Sequence, residues 1–276
     1  MAPHLGLMLI TNQPELGRTA VTAGVDRLFI DLERLGKLER QGHLDTHISD
    51  HTWEDIAEMR QALPDAKLLV RINPMNVNSP HEIEMAVDAR ADILMLPMFR
   101  TRTEVARFLE LVDGRAMCSL LLETPQALVR AQDIMAEKGI DEVHIGLNDL
   151  HLGLGLKFMF EILSSGLLDF LADIIHSRGI RFGFGGVARI GEGLLPAEVI
   201  LREHARLNSE GVILSRTFHR QARSIEELQR NCDLATEIER IREVYRKALQ
   251  RPKDEVERDR NQMVRLVHEI VRTSLG

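Results

Sequence analysis

Two stretches decide how this chain folds: Cys118-Ser-Leu-Leu-Leu-Glu123, with Thr124 and Pro125 following, and then Val143-His-Ile-Gly-Leu-Asn-Asp149. Each is a short apolar run with a carboxylate at or just beyond its end. Runs of this kind are what strands buried on both faces of a parallel sheet look like. Six more punctuate the chain, at 5–10, 27–32, 67–73, 91–97, 180–186 and 211–217. Between them lie segments with helical spacing: Ile56, Met59 and Leu63 on one face, Val105, Phe108 and Leu111 on a second, Ala127, Ala131 and Met135 on a third. Ser79-Pro80, Thr124-Pro125 and Leu195-Pro196 read as helix starts, with proline at or near the first turn.

Eight βα units without a Pro/Ser-rich linker predict an α/β fold, a (β/α)₈ TIM barrel over 1–223. A doubly wound open sheet is the alternative. The remaining residues, 224–276, read as a long C-terminal helical extension broken near Arg251-Pro252. One stripe carries Ile225, Leu228, Leu234, Ile238 and Ile241, and the second carries Met263, Leu266, Val267 and Ile270. An extension projecting from the barrel would expose these stripes, so packing on a partner subunit is expected, hence a homo-oligomer.

Composition removes several classes of function. A net charge of −7 speaks against general nucleic-acid binding, which needs a basic surface. No stretch of 18 uninterrupted apolar residues and no export signal is evident, so no membrane association and a cytoplasmic location are expected. Two cysteines, Cys118 in a strand-like run and Cys232 in a helical one, are not expected to pair.

In a barrel the chemistry sits at the C-terminal strand ends. The second strand ends Phe29-Ile-Asp31-Leu-Glu33-Arg34, and alternation puts Asp31 and Glu33 on one side. They suit a buried acidic pair, or groups that orient a water. The third ends Leu69-Val-Arg71-Ile-Asn73-Pro74; its guanidinium fits an anion, either a substrate carboxylate or Asp31 and Glu33 in an ion network. Glu123 and Asp149, on adjacent strand ends, suit a divalent cation, or else cap the helices that follow. Gly185, Gly186 and Arg189 after the seventh strand, and Ser215 and Arg216 after the eighth, suggest close approach of backbone amides to an anionic ligand, or tight strand–helix packing. The polar loop 35–51 carries His43, His47 and His51, at no established zinc spacing.

The order Asp-Leu-Glu (31–33), Val-Arg-Ile-Asn-Pro (70–74), Leu-Pro-Met (96–98), Glu-Thr-Pro-Gln-Ala (123–127) and Ile-Gly-Leu-Asn-Asp-Leu (145–150) resembles the HpcH/HpaI aldolase and citrate lyase family, over about residues 5–220. The resemblance implies a metal-dependent carbon–carbon lyase of the phosphoenolpyruvate/pyruvate superfamily. Glu123 and Asp149 would ligate Mg²⁺, Mn²⁺ or Co²⁺. A 2-oxo acid such as pyruvate would bind there, with an aldehyde or other carbonyl as its partner. Arg71 would clamp the acid and neutralise the enolate, with Asp31 and Glu33 in the catalytic group. Amides around Pro97 and Met98 would help hold the carboxylate. One departure stands out: Arg34 occupies the place where the pyruvate aldolases carry a histidine as base. A loop histidine, a metal-bound water, or a loss of aldol activity would each account for it. An acyl-CoA lyase of the citrate or malyl type, a non-catalytic barrel binding a small anionic metabolite, and a sugar-phosphate enzyme are the alternatives.

Overall fold

A computed structural model describes residues 4–36, 49–215 and 233–273. Its eight strands are β1 Gly6–Ile10, β2 Arg27–Asp31, β3 Leu68–Arg71, β4 Ile93–Leu96, β5 Met117–Leu122, β6 Glu142–Ile145, β7 Arg181–Val187 and β8 Gly211–Leu214. All pair in parallel with their sequence neighbours, and β8 closes onto β1 through Leu7↔Val212 and Leu9↔Leu214. Closure excludes the open-sheet alternative.

The described helices, in chain order, are α1 Pro14–Thr22, α2 Trp53–Ala62, α3 Ser79–Asp88, α4 Arg102–Val112, α5 Pro125–Val129, α6 Ala131–Ile134, α7 Leu147–Gly153, α8 Glu161–Ser164, α9 Leu167–Ser177, α10 Ala197–Arg206, α11 Leu234–Leu249 and α12 Lys253–Thr273. The proline starts hold, with Pro80 and Pro125 in first turns and Pro196 capping α10. The face of Ala127, Ala131 and Met135 is buried as expected, but the helix breaks at Arg130 into α5 and α6. No described helix is long and apolar enough to cross a membrane.

Strand alternation divides the apolar residues into two cores. Leu28, Ile30, Leu68, Val70, Leu120, Leu122, Val143 and Ile145 face outward and pack against the helices. Met8, Phe29, Leu69, Ile93, Met95 and Leu121 face inward and fill the barrel. Toward the N-terminal end, Arg27 donates to both carboxylate oxygens of Glu142 at 2.7 and 2.8 Å. Continuing the period of two upward from Phe29, Leu69 and Leu121 brings Asp31, Arg71 and Glu123 to the C-terminal mouth on the inward side.

The stripe of the C-terminal extension is covered within the chain: α11 lies on α10 and α1, and α12 lies on α10 and α8. Leu234, Ile238, Ile241, Met263 and Val267 are buried in the barrel's outer core, with Leu266 and Ile270 packed against it. Ile225 and Leu228 fall outside the described residues. Arg242 donates to the Leu5 carbonyl at 2.8 Å and to Asp26 at 2.7 Å, and Arg251 joins Asp259 (2.5 Å) to the Arg202 carbonyl (2.8 Å). Once ion pairs and apolar burial hold the extension this way, the stripe itself gives no reason for a second subunit.

If α11 is part of the barrel's core, Ile238→Ala lowers global stability by about 2–5 kcal/mol. A urea titration followed by both circular dichroism and amide exchange in β1 and β8 should report one shifted transition. Loss of exchange protection confined to α11 and α12 would contradict it.

Candidate active site

Among the described residues, the cavity at the barrel mouth is lined by one guanidinium, Arg71, and several carboxylates. Arg71 is gripped by Asp31 through a fork of two hydrogen bonds, Nε to Oδ1 and Nη2 to Oδ2, both 2.8 Å. Its Nη1 lies 3.5 Å from Glu33 Oε2, and its guanidinium carbon sits 5.6 Å from the centre of the Phe29 ring below. Burial works against the charge, but Asp31 and Glu33 outweigh it and hold the Arg71 pKa above its ordinary value. The ion network is therefore present, with Arg71 also on the wall of the mouth cavity.

Glu123 follows β5 and is buried. Its Oε1 accepts the Met98 amide at 3.1 Å, and Met98 takes a left-handed φ of 54°, sparsely populated for a residue with a side chain. That amide is thus occupied by the carboxylate, and neither Pro97 nor Met98 is among the described residues of the cavity wall. Burial, with the charge of Glu33, pushes the Glu123 carboxyl well above the usual carboxylate range; Arg71 pulls it down and Asp149 pushes it further up. Asp149 lies in the first turn of α7, half-buried, and lines the same cavity. Gly146 is what lets α7 start so close: a Cβ there would stand 2.7 Å from Glu123 Oε2 and 2.8 Å from its Cβ.

These carboxylates fit a hard divalent cation. Two buried or half-buried acids repel each other, and burial favours the neutral form of Glu123, a tension that a cation would relieve. Among the described residues no group of three or more His, Cys, Asp or Glu side chains forms a metal cage. Two carboxylates would leave the remaining coordination to water and ligand oxygens.

Arg34, in the place of the expected histidine, does not enter this network. Its Nη2 donates to the His51 carbonyl at 2.8 Å, and its amide donates to Asn73 Oδ1 at 2.8 Å, while Asn73 is held by Glu82. His51 is buried, and its Nδ1 accepts the Asp31 amide at 3.0 Å, which fixes the neutral ring as the Nε2–H tautomer. A histidine from far along the loop thus lies beside Asp31 on the cavity wall. His43, His47 and Arg216 lie outside the described residues.

Gly185, Gly186 and Ser215 line the cavity as well, but Arg189 is held by Glu192 (2.6 Å). The Gly185 carbonyl lies 3.0 Å from His144 Nε2, so its backbone binds a side chain. His144 itself was not anticipated. It faces inward from β6, where burial lowers its pKa to about 4 and keeps it neutral. The signal was available in Val-His-Ile-Gly, where alternation turns the second and fourth residues inward. Also unanticipated was an apolar wall built from Phe158, Met159, Leu195, Ile200 and Ile213.

A parallel barrel with an acidic, arginine-bearing mouth defines a class of enzymes, and the comparisons identify which. The family model for HpcH/HpaI aldolase/citrate lyase matches residues 4–161, and the chain belongs to that family, whose members are lyases and aldolases. Among solved structures, an HpcH/HpaI aldolase from Desulfitobacterium hafniense DCB-2 is similar with a TM-score of 0.62 at 14% identity, over 91% of this chain and 95% of that one. The CitE protein of Mycobacterium tuberculosis in complex with magnesium and pyruvate gives a TM-score of 0.59 at 17% identity, over 95% and 98%. The same protein with magnesium, acetoacetate and coenzyme A gives 0.59 at 18%, over 92% and 83%. At these identities the structural likeness shows the fold. No curated protein matches the chain.

Because Gly146 has no room for a side chain, Gly146→Ala should cost about 1–3 kcal/mol, as overpacking does. Thermal unfolding measures it, and an unchanged midpoint would show that Glu123 and α7 are not packed as described.

Proposed function

We propose that this chain is a divalent-metal-dependent carbon–carbon lyase that cleaves or forms a bond next to a 2-oxo acid, pyruvate in the simplest case. What carries the reading is the convergence of Glu123, Asp149 and Arg71 on one cavity at the barrel mouth. Glu123 and Asp149 would hold the cation, for which Mg²⁺ is the first choice. When bound, the cation supplies Lewis-acid stabilisation of negative charge developing on the substrate's oxygens.

The protein's own groups do the rest. Arg71, fixed by Asp31 and Glu33, faces the 2-oxo acid with a guanidinium that cannot rotate away, so its charge is already in place when the enolate forms. In cleavage the bond to the hydroxyl-bearing carbon breaks and its electron pair stays with the carbon of the 2-oxo acid. The hydroxyl proton passes to a water of the open cavity, and the other fragment departs as a carbonyl compound. His51 lies on the cavity wall with Nδ1 engaged by the Asp31 amide, so that nitrogen does not act as a base. The thioester alternative needs cations for the phosphates of coenzyme A, and Arg71 is the one guanidinium on the cavity wall among the described residues.

Deuterium exchange of the pyruvate methyl group, followed by NMR with and without Mg²⁺ or Mn²⁺, tests this reading. Metal-dependent exchange is expected, reduced about 10²-fold or more in Glu123→Ala and in Arg71→Lys. No exchange with any divalent ion would overturn it.

A further inference from the structure

Beyond Asp31↔Arg71, the last ladder pair of β2 and β3, four successive amides are tied down in turn. Leu32 N–H donates to the Arg71 carbonyl at 2.9 Å, and Glu33 N–H to Asp31 Oδ1 at 3.2 Å. Arg34 N–H and Leu35 N–H both donate to Asn73 Oδ1, at 2.8 and 3.0 Å. A side chain from just past β3 thus carries the pairing onward after the backbone ladder has stopped.

Asn73 is itself clamped. Its Nδ2 donates to Glu82 Oε1 at 3.1 Å and its backbone N–H to Glu82 Oε2 at 3.3 Å, while Asn76 Nδ2 reaches Glu82 Oε1 at 3.4 Å. Glu82 is buried in the first turn of α3, where a helix N-terminus favours a carboxylate. The chemistry of the place calls for asparagine: Oδ1 accepts two amides while Nδ2 donates to a carboxylate. An aspartate would accept the same amides but face Glu82 with a second negative charge and no donor.

The residue held by this clamp is Glu33. Its side chain is 1% exposed, and its Oε2 lies 3.5 Å from Arg71 Nη1. Asp31 Oδ1 is shared as well, accepting both the Glu33 amide and Arg71 Nε. A shift of the 33–35 backbone therefore reaches the guanidinium by two routes, through Glu33 Oε2 and through Asp31 Oδ1. Arg71 is on the cavity wall, whereas Asn73 and Glu82 are not among its described residues, so their influence on a bound acid runs through Arg71.

We infer that Asn73, oriented by Glu82, is a positioning residue that sets the Arg71 guanidinium through Glu33 and Asp31. The inference rests on the lyase reading above and deepens it, since on that reading Arg71 meets the enolate as its charge develops. A slightly displaced guanidinium still attracts the ground-state acid but stabilises the transition state less.

The test uses the full chain and includes one readout that needs no turnover. The Nε–H resonance of Arg71, assigned in proton–nitrogen NMR spectra by its loss in Arg71→Lys, is expected to be protected from solvent exchange in the wild type. Asn73→Ala and Asn73→Asp should each speed that exchange about tenfold. Combining Asn73→Asp with Glu82→Gln swaps amide and carboxylate, re-forms their pairing in reverse, and should restore the protection. In pyruvate deuterium exchange with Mn²⁺, each single Asn73 variant should lower kcat about 10- to 10²-fold with KM within about twofold, and the paired substitution should recover most of the loss. If Asn73 served the fold alone, the thermal midpoint would fall while kcat of the folded protein held, and the inference would be lost. Nε–H exchange unchanged in both single variants, or left unrestored by the pair, overturns it too. Absence of methyl exchange in every form, with the expected Nε–H pattern, would instead remove the lyase reading and leave Asn73 as the residue that positions Arg71.

Discussion

Everything at the mouth of this barrel turns on an imbalance of buried charge. Asp31, Glu33 and Glu123 gather around the Arg71 guanidinium, with Asp149 beside Glu123. Arg71 can satisfy Asp31 through its fork and Glu33 at longer range, and it then has little left for Glu123. The cost shows at Glu123, whose carboxyl is driven upward by burial and by the charge of Glu33. On the proposed reading, Asp31 and Glu33 position Arg71, and Glu123 and Asp149 would hold the cation.

The barrel creates this arrangement by alternation and closure. Inward positions low in the strands are apolar or self-paired, as in the cluster of Phe29, Leu69 and Leu121 and the Arg27–Glu142 pair. The next inward positions up are Asp31, Arg71 and Glu123, so a rigid core carries the charged layer. The Phe29 ring beneath Arg71 links the two layers directly. Around the outside, α11 and α12 complete the helical shell, tied down by Arg242 and Arg251.

Much of this was legible in the sequence, for a physical reason. Strands buried on both faces must be continuously apolar, so charged residues at their ends stand out, and Asp31, Arg71, Glu123 and Asp149 were found that way. What stayed hidden depends on long-range packing. Nothing local to Ile238 or Met263 says whether their stripe meets this barrel or another subunit. Nothing local to His51 says that its ring will accept the Asp31 amide, or that Arg34 will hold its carbonyl. The Met98 amide looked available until its backbone conformation turned it onto Glu123. The apolar wall escaped notice because Phe158 and Ile213 read in sequence as ordinary core residues.

The most direct measurement of the account is a calorimetric titration of the full chain with Mn²⁺ between pH 6 and 8, on wild type and on Glu123→Gln. Because burial and the charge of Glu33 favour protonation of Glu123 in competition with a cation, one ion per chain is predicted, with affinity weakening as pH falls and with loss of binding in Glu123→Gln. Binding that is insensitive both to pH and to Glu123→Gln, or no binding at all, would contradict the claim that these carboxylates are arranged for a cation.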